Sequence, residues 1–251
     1  MNLLLVDPAE LDGSRLVLGG RHAEHVFSVL GKKPGETLQC GVAGRGRGTA
    51  TVIDITRDRI ELEIGELTAE APSHLDLVVA LPRPKALSRL IQTIASLGVG
   101  RLDLIGAYRV EKSYFDSPRL EPERLREDLW LGAEQGVTSQ LPEVQVTRGF
   151  GAFLNETLPE LERARPALGF VLHPTTKRSF GDVELTAEGN EAARSRLVIG
   201  PEGGFTEGEL RALERHGFTG VGLGAPVLKT EAAVVAAWAQ WSLQARVYCA
   251  P

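Results

Sequence analysis

Hydrophobic positions change their period part-way along the chain. Up to about residue 70 they come in short alternating sets closed by turn residues; after residue 73 they come as continuous runs separated by stretches at helical spacing. Residues 3–6 and 15–18 predict short strands, and residues 21–30 carry apolar side chains at helical spacing, with His22 and His25 among them. Residues 33–36 put Pro and Gly where a turn needs them. Strands are expected over 37–42, 49–55 and 59–67, the last alternating Ile60, Leu62 and Ile64 with Glu61 and Glu63. Short strands between turn signals predict a small barrel. The four glycines and two arginines of residues 41–48 are read either as a flexible hairpin tip or as a basic finger for a phosphate backbone.

Thr68-Ala-Glu-Ala-Pro-Ser73 reads as a linker, with Pro72 as the breaker. Apart from Asp76, residues 75–81 are a continuous apolar run, the pattern of a strand covered on both faces. Over 85–97, Leu87, Leu90, Ile91, Ile94, Ala95 and Leu97 share one helical face, and Gly98 supplies the cap. The next strand, 101–106, completes a βαβ unit whose crossover is right-handed. Residues 107–120 form a polar loop of a length that is usually functional in compact domains. A helix over 122–136, a strand over 142–146, a helix over 150–163 and a strand over 167–172 follow, then a polar loop over 175–194.

Two strand–loop–helix units close the chain. Leu197-Val-Ile-Gly-Pro-Glu-Gly-Gly-Phe-Thr206 runs from an apolar strand into a glycine turn, with Glu207 and Glu209 opening a helix to residue 216. A strand over 220–223 leads through Leu223-Gly-Ala-Pro-Val-Leu-Lys-Thr-Glu231 into a last helix over 230–247. Its Ala233, Ala236, Ala237, Trp238, Trp241 and Leu243 suit close packing against another element or a second subunit. Both glycine turns sit at the same end of the sheet, where open α/β proteins bind ligands. The expected organisation is a β-rich domain over 1–70 and an α/β domain over 73–251.

Composition adds boundaries. With 251 residues, 43% hydrophobic and 24% charged, the chain can bury a full core. No run approaches the ~18 apolar residues of a membrane helix, and Met1-Asn-Leu-Leu-Leu-Val-Asp7 reads as a strand rather than a signal peptide. Cys40 and Cys249 have no metal spacing and read as reduced thiols, so a cytoplasmic protein without a metal is expected. The net charge of −5 weighs against nucleic acid. Yet residues 83–126 hold nine Lys/Arg against five Asp/Glu. An RNA-binding role would draw on local cations: Arg15, Arg21, Arg45 and Arg47 in the first domain, Arg83, Lys85 and Arg89 in the second. The other reading is a mixed, solvated surface.

In Gly200-Pro-Glu-Gly-Gly204 the missing Cβ atoms let backbone N–H groups approach a ligand. The Lys-Ser/Thr of a P-loop and the spacing of a dinucleotide site are absent. A purine edge, a carboxylate or a sulfonium fits better than a triphosphate; a tight structural turn is the other reading. His22 and His25 read as structural, with no third ligand to suggest a metal.

Ile-Gly-Pro-Glu-Gly-Gly-Phe-Thr-x-x-Glu at 199–209 and Leu-Gly-x-x-Val-Leu-Lys-Thr-Glu at 223–231 resemble the ribosomal RNA small subunit methyltransferase E family. Ala80-Leu-Pro-Arg-Pro-Lys85, Ala133-Glu-Gln135 and Leu141-Pro-Glu-Val144 extend the likeness. The resemblance implies a C-terminal SPOUT-type trefoil-knotted α/β methyltransferase domain with a small N-terminal PUA-like β-barrel that binds RNA. It implies a homodimer across the C-terminal helices, S-adenosyl-L-methionine as cofactor, and methylation of a uridine N3 in 16S rRNA of the small ribosomal subunit. Cofactor contacts are expected from Leu172, His173 and Pro174, from Gly200, Pro201, Glu202, Gly203 and Gly204, and from Leu223, Gly224, Val227 and Leu228.

Uridine N3 must lose a proton before it attacks a methyl group. Glu231 is the candidate base, or else a carboxylate favoured by the helix dipole. Lys229 and Arg109 are candidate cations for the imide anion; their ordinary readings are a solvated side chain and a surface ion pair or phosphate clamp. Glu202 orients ligand or braces its turn, and His173 lines the pocket or is a satisfied strand-end histidine. Where the resembled family carries arginines, this chain has Pro226, Thr138 and Gly31. Those positions motivate two alternatives: an RNA-binding paralogue that lost catalysis, or a methyltransferase for another RNA position.

Overall fold

The alternating sets of the first 70 residues build one sheet and the continuous runs build another. The computed structural model describes residues 2–183, 185 and 194–245. Its first part comprises β1 (Leu4–Val6), β2 (Leu11–Asp12), β3 (Arg15–Gly19), α1 (Gly20–Ser28), β4 (Thr37–Val42), β5 (Gly46–Ile55) and β6 (Arg59–Thr68). These strands form a six-stranded mixed sheet in the order β1-β4-β5-β6-β3-β2. Only β1 and β4 pair in parallel. Leu16, Leu18, Ile60, Leu62 and Ile64 turn inward and meet Ala23 and Val26 of α1.

Residues 41–48 form the tip of a hairpin that is docked on the rest of the chain. β4 and β5 run through them and leave only residues 43–45 as the turn. The Gly44 N–H donates to the Ser139 carbonyl at 2.8 Å, which docks the turn on the rest of the chain. A Cβ at Gly48 would collide with the Glu66 carbonyl oxygen, so glycine there serves the close approach of β5 and β6.

The remaining elements are β7 (Leu75–Ala80), α2 (Pro84–Ser96), β8 (Arg101–Ile105), α3 (Pro122–Gly136), β9 (Glu143–Thr147), α4 (Phe150–Ala152), α5 (Leu158–Ala164), β10 (Leu168–Leu172), β11 (Ser195–Ile199), α6 (Glu207–Arg215), β12 (Thr219–Val221) and α7 (Thr230–Gln244). The six strands are all parallel, in the order β12-β10-β11-β7-β8-β9. Every residue of β7, β8 and β11 is buried, the apolar ones by coverage on both faces and Asp76, Arg101, Asp103 and Arg196 by ion pairing near the strand starts.

Helix ends follow local chemistry. Pro84 and Pro122 start α2 and α3, where a missing N–H costs nothing. Gly98 takes φ 67° just after α2. The helix expected over 150–163 is broken by a π turn, Phe153–Thr157. Pro159 sits in the first turn of α5 and cannot donate an N–H to the preceding turn, so the ladder widens before it. The 107–120 loop holds two 3-10 turns, Lys112–Asp116 and Pro118–Leu120. Val110 and Phe115 sink into the core beneath it. Cys249, residues 246–247 of the expected last helix and much of the expected 175–194 loop lie outside the described residues.

Helix α3 joins the two sheets. Leu3 and Leu5 pack on Ala133, and the Trp130 indole N–H donates to the Leu5 carbonyl at 3.0 Å. Arg47 pairs with Glu70 at 3.0 Å and donates to the Val137 carbonyl at 2.7 Å. Val137 caps α3 in the left-handed region at φ 56°, a costly state for a β-branched residue that these contacts hold in place.

Opposite the C-terminal strand ends lies a cluster of buried charge. The fully buried Asp76 carboxylate of β7 meets Arg165 and Arg194 at 3.1 Å and the fully buried Arg196 of β11 at 3.5 Å. Arg101 pairs with Asp103 at 2.8 Å. Burial pushes the Asp103 carboxyl above its ordinary value, opposed by the Arg101 guanidinium.

Removing one partner of such a cluster leaves buried charge uncompensated. Asp76→Ala is expected to lower unfolding free energy by about 3–5 kcal/mol, read from urea melts. Burial also pushes the Cys40 thiol up to about 12, so native protein at about pH 8 should leave Cys40 unalkylated in peptide maps.

Candidate active site

Three adjacent parallel strands, β10, β11 and β12, end at one edge of the sheet, and their loops enclose a single cavity. Every residue expected to touch cofactor lines it: Leu172, His173 and Pro174 after β10, the 200–204 loop after β11, and Leu223, Gly224, Val227 and Leu228 after β12. Pro226, Thr230 and Ala233 close the side nearest α7, and Arg109 reaches in from the 107–120 loop. Ile199, Phe205, Pro226, Thr230 and Ala233 were not foreseen as lining. Their sequence adjacency to the two glycine turns was the available signal.

The glycines are there for stated reasons. The Gly204 N–H donates to the Pro201 carbonyl at 2.7 Å, closing a tight turn. Gly204 has φ 74°, a region L-residues avoid. A Cβ on Gly203 would lie 3.0 Å from Arg109 Cδ, so glycine lets Arg109 lie over the loop and donate to the Gly203 carbonyl. Glu202 pairs with Arg83 at 3.0 Å; both side chains are half-exposed, so the pair positions the loop more than it stabilises the fold.

Glu209 does more than open a helix. It forms a capping box with Thr206 at the start of α6, and its second oxygen accepts the Tyr108 N–H at 2.7 Å. One buried carboxylate thereby fastens the 107–120 loop to the glycine turn and sets where Arg109 stands. The sequence pattern placed Glu209 at the start of a helix and showed nothing of this long-range partner.

His173 Nδ1 lies 2.9 Å from the Thr175 hydroxyl. Desolvation pushes its imidazole below the ordinary 6.5, so it is neutral at neutral pH.

The other expected residues are dispersed. Lys229 is exposed at the N-cap of α7 and Glu231 is half-buried in its first turn; neither lines the cavity, though Thr230 between them does. Arg15 pairs with Glu61 at 3.8 Å and Arg21 with Glu134 at 3.3 Å. Arg21 and Arg47 therefore hold intramolecular partners on the contact between the two sheets. Arg45 and Lys85 are exposed and have no ion-pair partner among the described residues. His22 is 3.4 Å from Glu134 and His25 is half-buried, and no metal-binding cluster occurs among the described residues.

A family model described as an RNA methyltransferase domain matches residues 69–242. The chain belongs to that family. It is 29% identical to ribosomal RNA small subunit methyltransferase E of Treponema pallidum, over 95% of this chain and 90% of that protein. It is 24% identical to ribosomal RNA small subunit methyltransferase E 1 of Borreliella burgdorferi, over 94% and 95% of the two chains. Among solved structures, it shares its fold with ribosomal RNA small subunit methyltransferase E of Neisseria gonorrhoeae bound to S-adenosyl methionine. The TM-score there is 0.75 at 22% identity, covering 97% of each chain. A probable rRNA methyltransferase of Porphyromonas gingivalis gives TM-score 0.74 at 20% identity, covering 99% and 100%. In this RNA methyltransferase the matched residues include every strand of the parallel sheet and all of the loops that enclose the cavity.

Two outcomes are expected. Gly204→Ala forces a Cβ into the left-handed region at a cost of about 1–2 kcal/mol, which should appear as a lowered melting temperature. NMR titration of the His173 ring should give a midpoint below 6.5. The folded ring resists protonation, so its contribution is complete above the unfolded value and is lost as pH falls from there through the folded value.

Proposed function

We propose that this chain transfers the methyl group of S-adenosyl-L-methionine to N3 of a uridine in 16S rRNA. What carries the proposal is the cavity at the ends of β10, β11 and β12, in a chain matched along nearly its whole length by small subunit methyltransferases. The lining suits the cofactor. Bare backbone at Gly200, Gly203 and Gly204 admits a flat group, and Leu172, Ile199, Leu223, Val227 and Leu228 offer apolar walls. Neutral His173 brings no positive charge beside a sulfonium.

Bound S-adenosylmethionine supplies an electrophilic methyl on sulfur. The protein has to hold the target base in line with it and manage the N3 proton. Arg109, over the Gly203 carbonyl, stabilises the imide anion that forms as the proton leaves. Lys229 and Glu231 flank the lining residue Thr230; in this reading Glu231 accepts the proton and Lys229 adds a second cation. The target nucleotide must be turned out of its stack to enter.

The same reading makes residues 73–251 a SPOUT-type trefoil-knotted domain and residues 1–70 a PUA-like barrel that binds RNA. The insertion of β11 between β10 and β7 supports the knot. Exposed Val235 and Leu243 on α7 support a homodimer across that helix. The protein would act in the cytoplasm on the small ribosomal subunit; no described helix is long and apolar enough to cross a membrane. A second reading, an RNA-binding relative that has lost methyl transfer, is favoured by Pro226, which lines the cavity where the resembled family has arginine.

The test is transfer of radiolabelled methyl from S-adenosylmethionine to unmodified small ribosomal subunits, with mass spectrometry of the digested rRNA. One methyl at a uridine N3 supports the proposal. Cofactor and RNA binding without transfer favours the second reading, and a methyl on another atom overturns the assigned position. Arg109→Gln is expected to cut turnover by about 10²–10³-fold, while cofactor affinity measured by calorimetry changes little.

A further inference from the structure

A second groove lies against the first cavity, and the proposed reaction does not use it. Its shared wall is two residues deep on each side. Arg109 faces the first cavity while Tyr108 lines the groove, and Phe205 faces the first cavity while Thr206 lines the groove. The groove runs between the 107–120 loop, the start of α4 and the exposed side of α6.

Its walls have the chemistry of a single-stranded nucleic acid site. Tyr108 is 83% exposed. That is much aromatic surface for a loop whose neighbours Val110 and Phe115 are buried. Phe150 adds a second ring, held by Phe205 at 5.8 Å between centroids. Lys112 and Arg215 are exposed, line the groove and have no ion-pair partner among the described residues. Arg148 lines it too, tied to Asp116 at 3.0 Å and to the Phe115 carbonyl at 3.2 Å, which holds the loop rather than leaving a free charge. The one carboxylate in the lining is Glu209, already engaged with Thr206 and the Tyr108 N–H. The free charge is thus positive and stands beside unstacked aromatic surface. A base stacks on such a ring whatever its identity, and the cations neutralise phosphates.

We infer that this groove holds the nucleotide next to the one being methylated, its base against Tyr108 and its phosphates on Lys112 and Arg215. The inference rests on the proposed RNA methyl transfer, because the first cavity must take the target base for its neighbour to fall here. The glutamate that positions Arg109 also positions Tyr108. Filling the groove therefore bears on the loop that carries Arg109.

The experiment separates this inference from that proposal by reading RNA binding without turnover. A fluorescent single-stranded oligouridine is titrated into wild-type protein saturated with S-adenosylhomocysteine, over a range of salt concentrations. Lys112→Gln/Arg215→Gln is expected to reduce the slope of log affinity against log salt by about 1.4, that is about 0.7 for each lost phosphate contact. Tyr108→Ala is expected to weaken binding about tenfold, within the range for loss of one stacked base. S-adenosylhomocysteine affinity, measured separately, should stay at the wild-type value in all variants and so reports an intact fold and first cavity. Arg163→Gln removes an exposed charge on α5, away from the groove, and should leave the slope unchanged. A wild-type slope in the Lys112/Arg215 variant, an equal loss in Arg163→Gln, or wild-type affinity in Tyr108→Ala each overturns the inference. Failure of the wild-type protein to methylate rRNA strikes the proposed function and with it the placement beside a methylated nucleotide, while the binding contrast, read without turnover, still decides whether the groove holds single-stranded RNA.

Discussion

The buried Asp76 carboxylate decides where β11 enters the sheet. Three guanidiniums converge on it: Arg196 from within β11, Arg194 just before it, and Arg165 from the end of α5. A charge removed from water is tolerated only when paired, so any shift of β11 against β7 would leave Asp76 or Arg196 without compensation. Apolar contacts alone would not specify this register so sharply, because β11 is covered on both faces and one apolar position resembles the next. β11 has five residues, so pinning its start also sets where Gly200 emerges. The geometry of the cavity is thus established from the opposite end of the sheet.

At the C-terminal edge the problem is reversed. A loop of glycines leaves its backbone accessible, but it is also the part of the chain that loses most freedom on folding. The structure compensates with a few directed contacts: the Pro201–Gly204 turn bond, Arg109 on the Gly203 carbonyl, Arg83 on Glu202, and Glu209 tying the neighbouring loop to α6. The site is therefore preorganised by polar contacts rather than by packing. The residues that hold it, Glu209 above all, need not touch a ligand themselves.

Cations show the limit of reading by residue type. Arg21 and Arg47 are basic residues on the first sheet and suit an RNA surface by composition. Folded, one meets Glu134 and the other meets Glu70 and the Val137 carbonyl, so both serve the contact with α3. Lys112 and Arg215 carry the same charge and stand apart by over a hundred residues, yet they line one groove and remain unpaired among the described residues. Whether a cation is a clamp or a free charge depends on what folding brings opposite it.

The sequence by itself determined most of the elements and the strand ends at which the cavity lies. Periodicity separated the first sheet from the second, because alternation and continuous apolar runs demand different burial. The glycine turns marked the strand ends, because the left-handed φ of Gly204 favours glycine and the close approach of Arg109 to Gly203 leaves little room for a Cβ. It also located the start of α3 at Pro122 and the cap of α2 at Gly98, since those are effects within a few residues. Tertiary structure alone decided the rest. Strand order, the docked 43–45 turn, the position of Lys229 and Glu231 outside the cavity lining, and the second Glu209 contact depend on partners distant in sequence. Local patterns reflect local energetics. A carboxylate that binds an N–H a hundred residues away leaves no periodic trace in the chain.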